Sequence, residues 1–235
     1  MAQLSLNKNA TSPIAIPLAL GFWSAVLVTF FNVASSLLMI PSWFLNPIIP
    51  WRGIESYASA FDFFQIASML PGFLVVLPFL PMMAAIHYSS QLDRKPYTML
   101  GVAFAGISVA MLGFQYYSQL TVVRYNLISG EQQALGLFVL GNPHSFFWPL
   151  EALGYGFMGL STLFAAFAFS GGSLERWIRV LFVANGALGI AGIVAYPLEV
   201  TTVAVLSGLA LWTLVFPVST ILLAISFRRR MHRSG

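Results

Sequence analysis

Glu151 is the residue of this chain whose type and position most clearly suggest chemistry. It is the only carboxylate placed well inside a long apolar run, and a carboxyl group away from water must be paired, neutral or hydrated. On a helix, Tyr155 would lie one turn from Glu151 on the same face. Such a carboxylate could bind a ligand or act as a general acid or base. It could also pin two helices together by bonding to a polar partner; the candidate partners are Arg124, His144, Gln115 and Tyr155.

Other polar side chains fall near the same level, close to the outer ends of the apolar runs, whereas the inner halves offer mainly Ser, Thr and Gly. The predicted ligand-binding residues are Asp62, Gln65, Gln115, Tyr117, Arg124, Glu151, Tyr155 and Tyr196. The candidate catalytic residues are Glu151, His144 and Asp62. Such clustering predicts a water-accessible pocket in the outer half. Aromatic side chains at this level are also typical of the interfacial belt of membrane proteins.

The inventory of side chains excludes several kinds of chemistry. The chain has no cysteine, which excludes thiol catalysis, iron–sulfur clusters and cysteine-bound zinc. Only three histidines are present, and His87 and His232 fall on the side opposite His144, so we predict no metal site and no cofactor. No lysine lies within an apolar run, which excludes a retinal Schiff base. Neither a phosphate-binding loop nor a dinucleotide fingerprint is present.

The composition requires contact with lipid. Hydrophobic residues make up 58% of the 235 residues and charged residues 8%, whereas soluble domains carry about 25% charged residues. A chain this poor in charge cannot cover a surface that faces water. We therefore predict a single membrane domain over residues 1–235, with the lipid bilayer as its main partner and no affinity for nucleic acid.

Six apolar runs approach or exceed the roughly 20 residues that span a bilayer core. Backbone groups in lipid must be satisfied within the segment, so runs of this length are helices. The predicted fold is all-α, a polytopic bundle of six transmembrane helices. The predicted spans are 17–40, 63–87, 98–121, 146–170, 177–197 and 202–226.

The distribution of basic residues predicts the orientation. With both termini in the cytoplasm, nine basic residues fall on the inner side, and only Arg52 and Arg124 fall outside. The inner residues are Lys8, Arg94, Lys95, Arg176, Arg179, Arg228, Arg229, Arg230 and Arg233. This bias follows the positive-inside rule and predicts a multi-pass protein of the cell (plasma or inner) membrane. The net charge of +4 is therefore a topology signal.

The connections differ between the two sides. The outer segments 41–62 and 122–145 are long and apolar enough to lie at the interface like a lid, with a short amphipathic piece predicted at Gln132–Leu140. The inner connections 88–97 and 171–176 are short and polar. The asymmetry indicates a capped outer face.

Part of the second half of the chain has a recognisable pattern. The stretch Leu135–Leu198 combines these features: Asn142–Ser145, Glu151, Gly154, Gly156, Arg176 and Arg179. In this it resembles a broad family of bacterial and archaeal six-helix membrane proteins carried as a domain of unknown function. The resemblance implies a six-helix architecture and brings no catalytic residues with it.

The sequence leaves three hypotheses for function open. The first is a binding protein with an outer pocket for a small or lipophilic molecule. The second is an enzyme acting on a lipid-like substrate, with Glu151 or Asp62 as general acid or base and His144 or Tyr155 assisting. The third is a non-catalytic subunit of a larger membrane complex. A homo-oligomer that packs through the glycine-rich faces of the fourth and fifth helices is open as well.

Overall fold

The computed structural model describes residues 15–45 and 51–234, and this part of the chain contains six helices long and apolar enough to cross a membrane. The predicted all-α bundle of six spans is therefore confirmed. The predicted cytoplasmic N-terminal segment, including Lys8, lies outside the described residues.

The helices have the following bounds. They are α1 (Ala15–Leu45), α2 (Ile54–Ala60), α3 (Phe63–Tyr88), α4 (Lys95–Ser118), α5 (Arg124–Ser129), α6 (Phe147–Ala165), α7 (Ser173–Ala195), α8 (Thr201–Leu209) and α9 (Phe216–Ser234). The third span runs from α4 into α5 through a π-helical segment, Gln119–Val123, and the sixth runs from α8 into α9 through another, Ala210–Val215. Both spans extend beyond their predicted ends because the backbone stays helical after the side chains become polar.

The six spans form a closed ring in the order of the chain. α1 packs on α3, α3 on α4, α4 on α6 and α6 on α7, while α9 packs on both α7 and α1. Large side chains fill the centre, and Phe79, Phe182 and Phe216 are almost completely buried. The outward-facing residues of the spans are mostly aliphatic and aromatic, as expected of helices in contact with lipid.

The basic ends of the helices lie together. The guanidinium of Arg230 near the end of α9 is 2.7 Å from the Glu175 carboxylate at the start of α7. His87 Nδ1 and Thr98 Oγ1, 2.9 Å apart, join the end of α3 to α4. Because Gly21 of α1 packs directly against the ring of Phe227, the first helix begins at this same end. We call this the inner end and the opposite one the outer end, following the predicted topology.

A small hydrophobic cluster covers the outer end. Tyr57 of α2 is buried with Val123, Leu135 and Val139, and burial raises the pKa of its phenol. The backbone N–H of Phe146 donates to Leu137 O at 2.8 Å and closes the loop beneath α2. The two long outer segments thus pack on each other, and we call this arrangement the outer cap.

Two details of the outer segments differ from expectation or lie beyond the described residues. The piece predicted as amphipathic at Gln132–Leu140 forms only a single 3-10 turn, Leu135–Leu137. Ala134 before it adopts a left-handed backbone with φ of 60°, which interrupts any longer helix. Pro47 and Pro50 of the predicted lid lie outside the described residues.

Glycines bring α6 and α7 into backbone contact. A Cβ atom built at Gly159 would meet Asn185 O at 2.7 Å and Gly189 Cα at 3.0 Å, and one built at Gly189 would meet Tyr155 O at 3.0 Å. Small residues of this kind allow membrane helices to approach closely. The crossing therefore depends on the absence of side chains at Gly159 and Gly189.

Substituting Gly189 by alanine should weaken this crossing. The added methyl group would press on the backbone of α6 from two sides, and overpacking of this kind typically costs about 1–3 kcal/mol. We expect a lower midpoint of thermal unfolding in detergent. Gly106→Ala is the matched control, because a Cβ there meets open space and should not lower the midpoint. Equal midpoints for the two variants would contradict the role of the crossing.

Cysteine labelling tests the orientation in a chain that has no cysteine of its own. Ser129 at the outer end and Ser173 at the inner end are both exposed. In intact cells a membrane-impermeant maleimide should label Ser129→Cys, whereas Ser173→Cys should react only after permeabilisation. The reverse pattern would overturn the predicted orientation.

Candidate functional site

All six spans contribute to one cavity of about 220 Å³ in the outer half of the bundle. We call it the outer cavity. Most of its walls are apolar, with a few polar and aromatic groups among them. The lining residues are Ser35, Met39, Gln65, Ser68, Met69, Tyr116, Leu140, Trp148, Glu151, Ala152, Tyr155, Leu188, Gly189, Gly192, Ala204, Val205, Gly208, Leu209, Leu211 and Trp212.

One face of α6 presents the most chemically distinctive groups to the outer cavity. Trp148, Glu151 and Tyr155 follow each other at spacings of three and four residues, which places them on one side of the helix. Glu151 is half-buried and forms no salt bridge with any residue of the described ranges. The Gln115 amide lies beside its carboxylate but outside good hydrogen-bonding geometry. The carboxylate thus faces the cavity without a cationic partner.

Two tyrosines form a hydroxyl pair at the cavity wall. The hydroxyl oxygens of Tyr116 and Tyr155 are 2.7 Å apart, and the indole of Trp212 meets the Tyr155 ring edge-on at a centroid distance of 5.4 Å. Gly72 of α3 makes room for Tyr116, because a Cβ there would lie 2.9 Å from its ring. The pair joins α4 to α6 immediately next to Glu151.

On the side of the cavity formed by α1 and α3, the side-chain hydrogen-bond donors bond to backbone carbonyls of the protein. Ser35 Oγ donates to Ser68 O at 2.8 Å, and Ser68 Oγ donates to Gln65 O at 2.9 Å. The Gln65 side-chain N–H donates to Ala60 O at 3.3 Å. Its Oε1, in contrast, has no hydrogen-bond partner in the described part of the chain. Gln65 therefore keeps one buried acceptor unsatisfied beside this wall.

Trp148 connects the cavity to the outer cap. Its indole N–H donates to Leu140 O at 2.8 Å, and its ring stacks on Tyr196 with an interplanar angle of 2°. The Tyr196 hydroxyl in turn donates to Pro143 O at 2.9 Å, and burial raises the pKa of this phenol. One face of Trp148 is therefore covered by Tyr196.

The ring of helices is not closed by packing at the level of the cavity. α1 packs along α9, but it has at most glancing contact with α8 among the described residues. Ser35 and Met39 of α1 nevertheless line the same cavity as Ala204, Val205 and Gly208 of α8. We call this separation of the two helices the α1–α8 gap.

The π-helical segment Ala210–Val215 lies where the sixth span turns from α8 into α9. Pro217 follows it closely and cannot donate to the carbonyl four residues earlier, that of Thr213. This missing hydrogen bond accounts for the irregularity, and π segments of this kind are frequent at functional sites. The segment also turns Leu211 and Trp212 inward, where both are buried.

The structure brings three of the predicted site residues, Gln65, Glu151 and Tyr155, to the cavity wall. Gln115 and Tyr196 lie one layer behind, against Glu151 and Trp148 respectively. The four others lie elsewhere. Asp62 caps α3 by accepting from Gln65 N at 2.9 Å, and Tyr117 is 57% exposed beside Phe73. Arg124 lies over the Tyr125 ring, and His144 is exposed before α6.

Three aromatic residues of the wall were missed by sequence reasoning: Tyr116, Trp148 and Trp212. The helical period around Glu151 could have indicated Trp148, which lies three residues before it. Tyr116 and Tyr117 are adjacent, and a rotation of about 100° per residue decides which of them faces inward. The inward turn of Trp212 depends on the π segment, for which Pro217 was the available signal.

No family model, curated protein or solved structure matches this chain. The fold and the apolar surfaces nevertheless define its class. It is an integral membrane protein with six spans and buried aromatic clusters.

A double-mutant cycle tests whether the tyrosine pair is a working hydrogen bond. Removing either hydroxyl should cost about 1 kcal/mol of stability, seen as a lower unfolding midpoint in detergent. Because the two hydroxyls share one bond, Tyr116→Phe together with Tyr155→Phe should cost less than the sum of the single changes. Tyr117→Phe, beside the pair but facing outward, is the control and should melt like the wild type. Additive effects would exclude the bond.

Proposed function

We propose that this protein binds a small lipophilic molecule in the outer cavity. The observation that carries the proposal is the composition of the cavity wall, where one unpaired carboxylate and a tyrosine pair stand among apolar side chains. Ligand sites in proteins are typically concave, mostly apolar and fitted with a few well-placed polar groups.

The size of the cavity suits a compact organic molecule. Its volume of about 220 Å³ exceeds the roughly 150 Å³ of an engineered apolar cavity that binds benzene. Met39 and Met69 lie in the wall, and methionine side chains adapt their shape easily to a ligand. A ligand with one ring or a short chain and one polar end fits these dimensions.

The α1–α8 gap supports a ligand that arrives from the membrane. The outer cap lies over the outer end of α6. Its residue Leu140 lines the cavity, and the Trp148 indole N–H donates to the Leu140 carbonyl. The side wall between α1 and α8, in contrast, is not sealed by helix packing among the described residues. A molecule dissolved in the outer leaflet could enter there without crossing the cap.

Binding accounts for the site better than catalysis does. An acid–base pair requires two groups within reach of one substrate, and the second groups expected from the sequence are engaged elsewhere. His144 is exposed outside the cavity, and Asp62 caps α3. Tyr155 remains beside Glu151, but its hydroxyl bonds to Tyr116. The cavity likewise gives the protein a feature that a purely structural subunit does not need.

Filling the cavity should abolish binding without unfolding the protein. Gly208 lines the cavity, and a Cβ built there meets no atom within 4 Å, so Gly208→Phe adds a ring at the cavity wall from a position that has room for its first carbon. Native mass spectrometry of the wild type, purified in mild detergent, should show a bound small molecule or lipid. The Gly208→Phe variant should lose that adduct.

Gly106→Phe is the matched control, since Gly106 also meets open space but does not line the cavity. It should retain the adduct. If the wild type carries no adduct, or if Gly208→Phe carries it equally, the proposed function is wrong. Turnover of a lipid by the wild type that Glu151→Gln abolishes would instead favour the enzyme.

A further inference from the structure

The polar groups left free at the cavity wall are mainly acceptors of hydrogen bonds. Ser35, Ser68 and Trp148 each donate a side-chain hydrogen bond to a backbone carbonyl of the protein. What remains is the Glu151 carboxylate, which has no cationic partner among the described residues, and one hydroxyl proton of the Tyr116–Tyr155 pair. Gln65 Oε1 also has no hydrogen-bond partner in the described part of the chain, but it is buried behind the wall. A wall of this kind complements a ligand that donates.

Aromatic side chains line the same cavity. Trp148 and Tyr155 stand on the face of α6 that carries Glu151. Trp212 packs against both tyrosines, at 5.4 Å from the Tyr155 ring and 6.3 Å from the Tyr116 ring between centroids. The faces of tryptophan and tyrosine attract organic cations, and cages of such rings are used to recognise ammonium groups.

From these two observations we infer that the ligand is a lipophilic amine whose ammonium group pairs with Glu151 beside the aromatic side chains of the cavity wall. This inference rests on the proposed function and specifies the chemical class of its ligand. A carboxylate in an apolar cavity is costly unless it is paired, neutralised or hydrated, and no basic side chain of the described residues forms a salt bridge with Glu151. A cationic ligand provides the missing partner, and its apolar body occupies the aliphatic wall.

Three probes that differ only in their polar end test the inference. They are 4-phenylbutylamine, which is cationic at neutral pH, 4-phenylbutan-1-ol, which is neutral, and 4-phenylbutanoate, which is anionic. Binding is measured by equilibrium dialysis against the full-length protein in nanodiscs of zwitterionic lipid. Empty nanodiscs are subtracted to remove partitioning into the lipid.

We expect the amine to bind at least about tenfold more tightly than the alcohol, since hydrogen bonds to charged groups are the stronger ones, and the carboxylate probe to bind most weakly. Glu151→Gln should remove the preference for the amine and leave the affinity for the alcohol nearly unchanged. Glu131→Gln is the matched control, because Glu131 is an exposed acid at the outer end that does not line the cavity. It should keep the preference.

The outcomes separate the two proposals. If the alcohol binds as tightly as the amine, or if Glu151→Gln binds the amine as the wild type does, the cation inference is overturned while the binding pocket stands. If no probe binds above empty nanodiscs, or if Gly208→Phe binds all of them unchanged, the pocket itself is rejected. The alcohol also reports on folding of Glu151→Gln, and the wild-type comparison decides the inference even if that variant fails to assemble.

Discussion

Helices in lipid gain little from hydrophobic association, because the lipid tails are as apolar as the side chains. Close packing therefore decides which helices hold each other, and in this bundle α6 and α7 come into backbone contact where Gly159 meets Gly189. That crossing sets the depth and rotation of α6. Because Glu151 and Tyr155 lie on the turns just before Gly159, the position of the outer cavity follows from a contact that contains no polar chemistry at all.

The ring is tight where its helices cross and loose where α1 faces α8. Between α1 and α9 the packing is extensive, and the hydroxyls of Thr29 and Thr220 lie 2.7 Å apart across it. Above this level the π-helical segment Ala210–Val215 redirects the span, so that α8 packs on α7 instead. One irregular segment thus separates a sealed inner half from an outer half that holds a cavity.

The spans could be predicted because their cause is local. A run of apolar residues long enough to cross the bilayer must be helical wherever it lies, and the basic residues collect at one end of the bundle as their sequence positions indicate. Glu151 could be selected as well, since an acid in such a run is rare. The residues around Glu151 could not be predicted, because the side of each helix that faces inward depends on how the helix is rotated about its own axis. Tyr116 is buried while the adjacent Tyr117 is exposed, and Trp212 turns inward through a π segment.

The residues that sequence reasoning placed in the site but that lie elsewhere share a physical reason. Asp62 begins a helix, where the first backbone N–H groups need an acceptor, and it serves as that cap. Arg124 lies at the outer end with water within reach, and its guanidinium rests on the Tyr125 ring. Each of these groups has a local partner that satisfies it. Glu151 differs from them in having no salt-bridge partner among the described residues, which is why the proposed ligand is argued from Glu151 and not from Asp62 or Arg124.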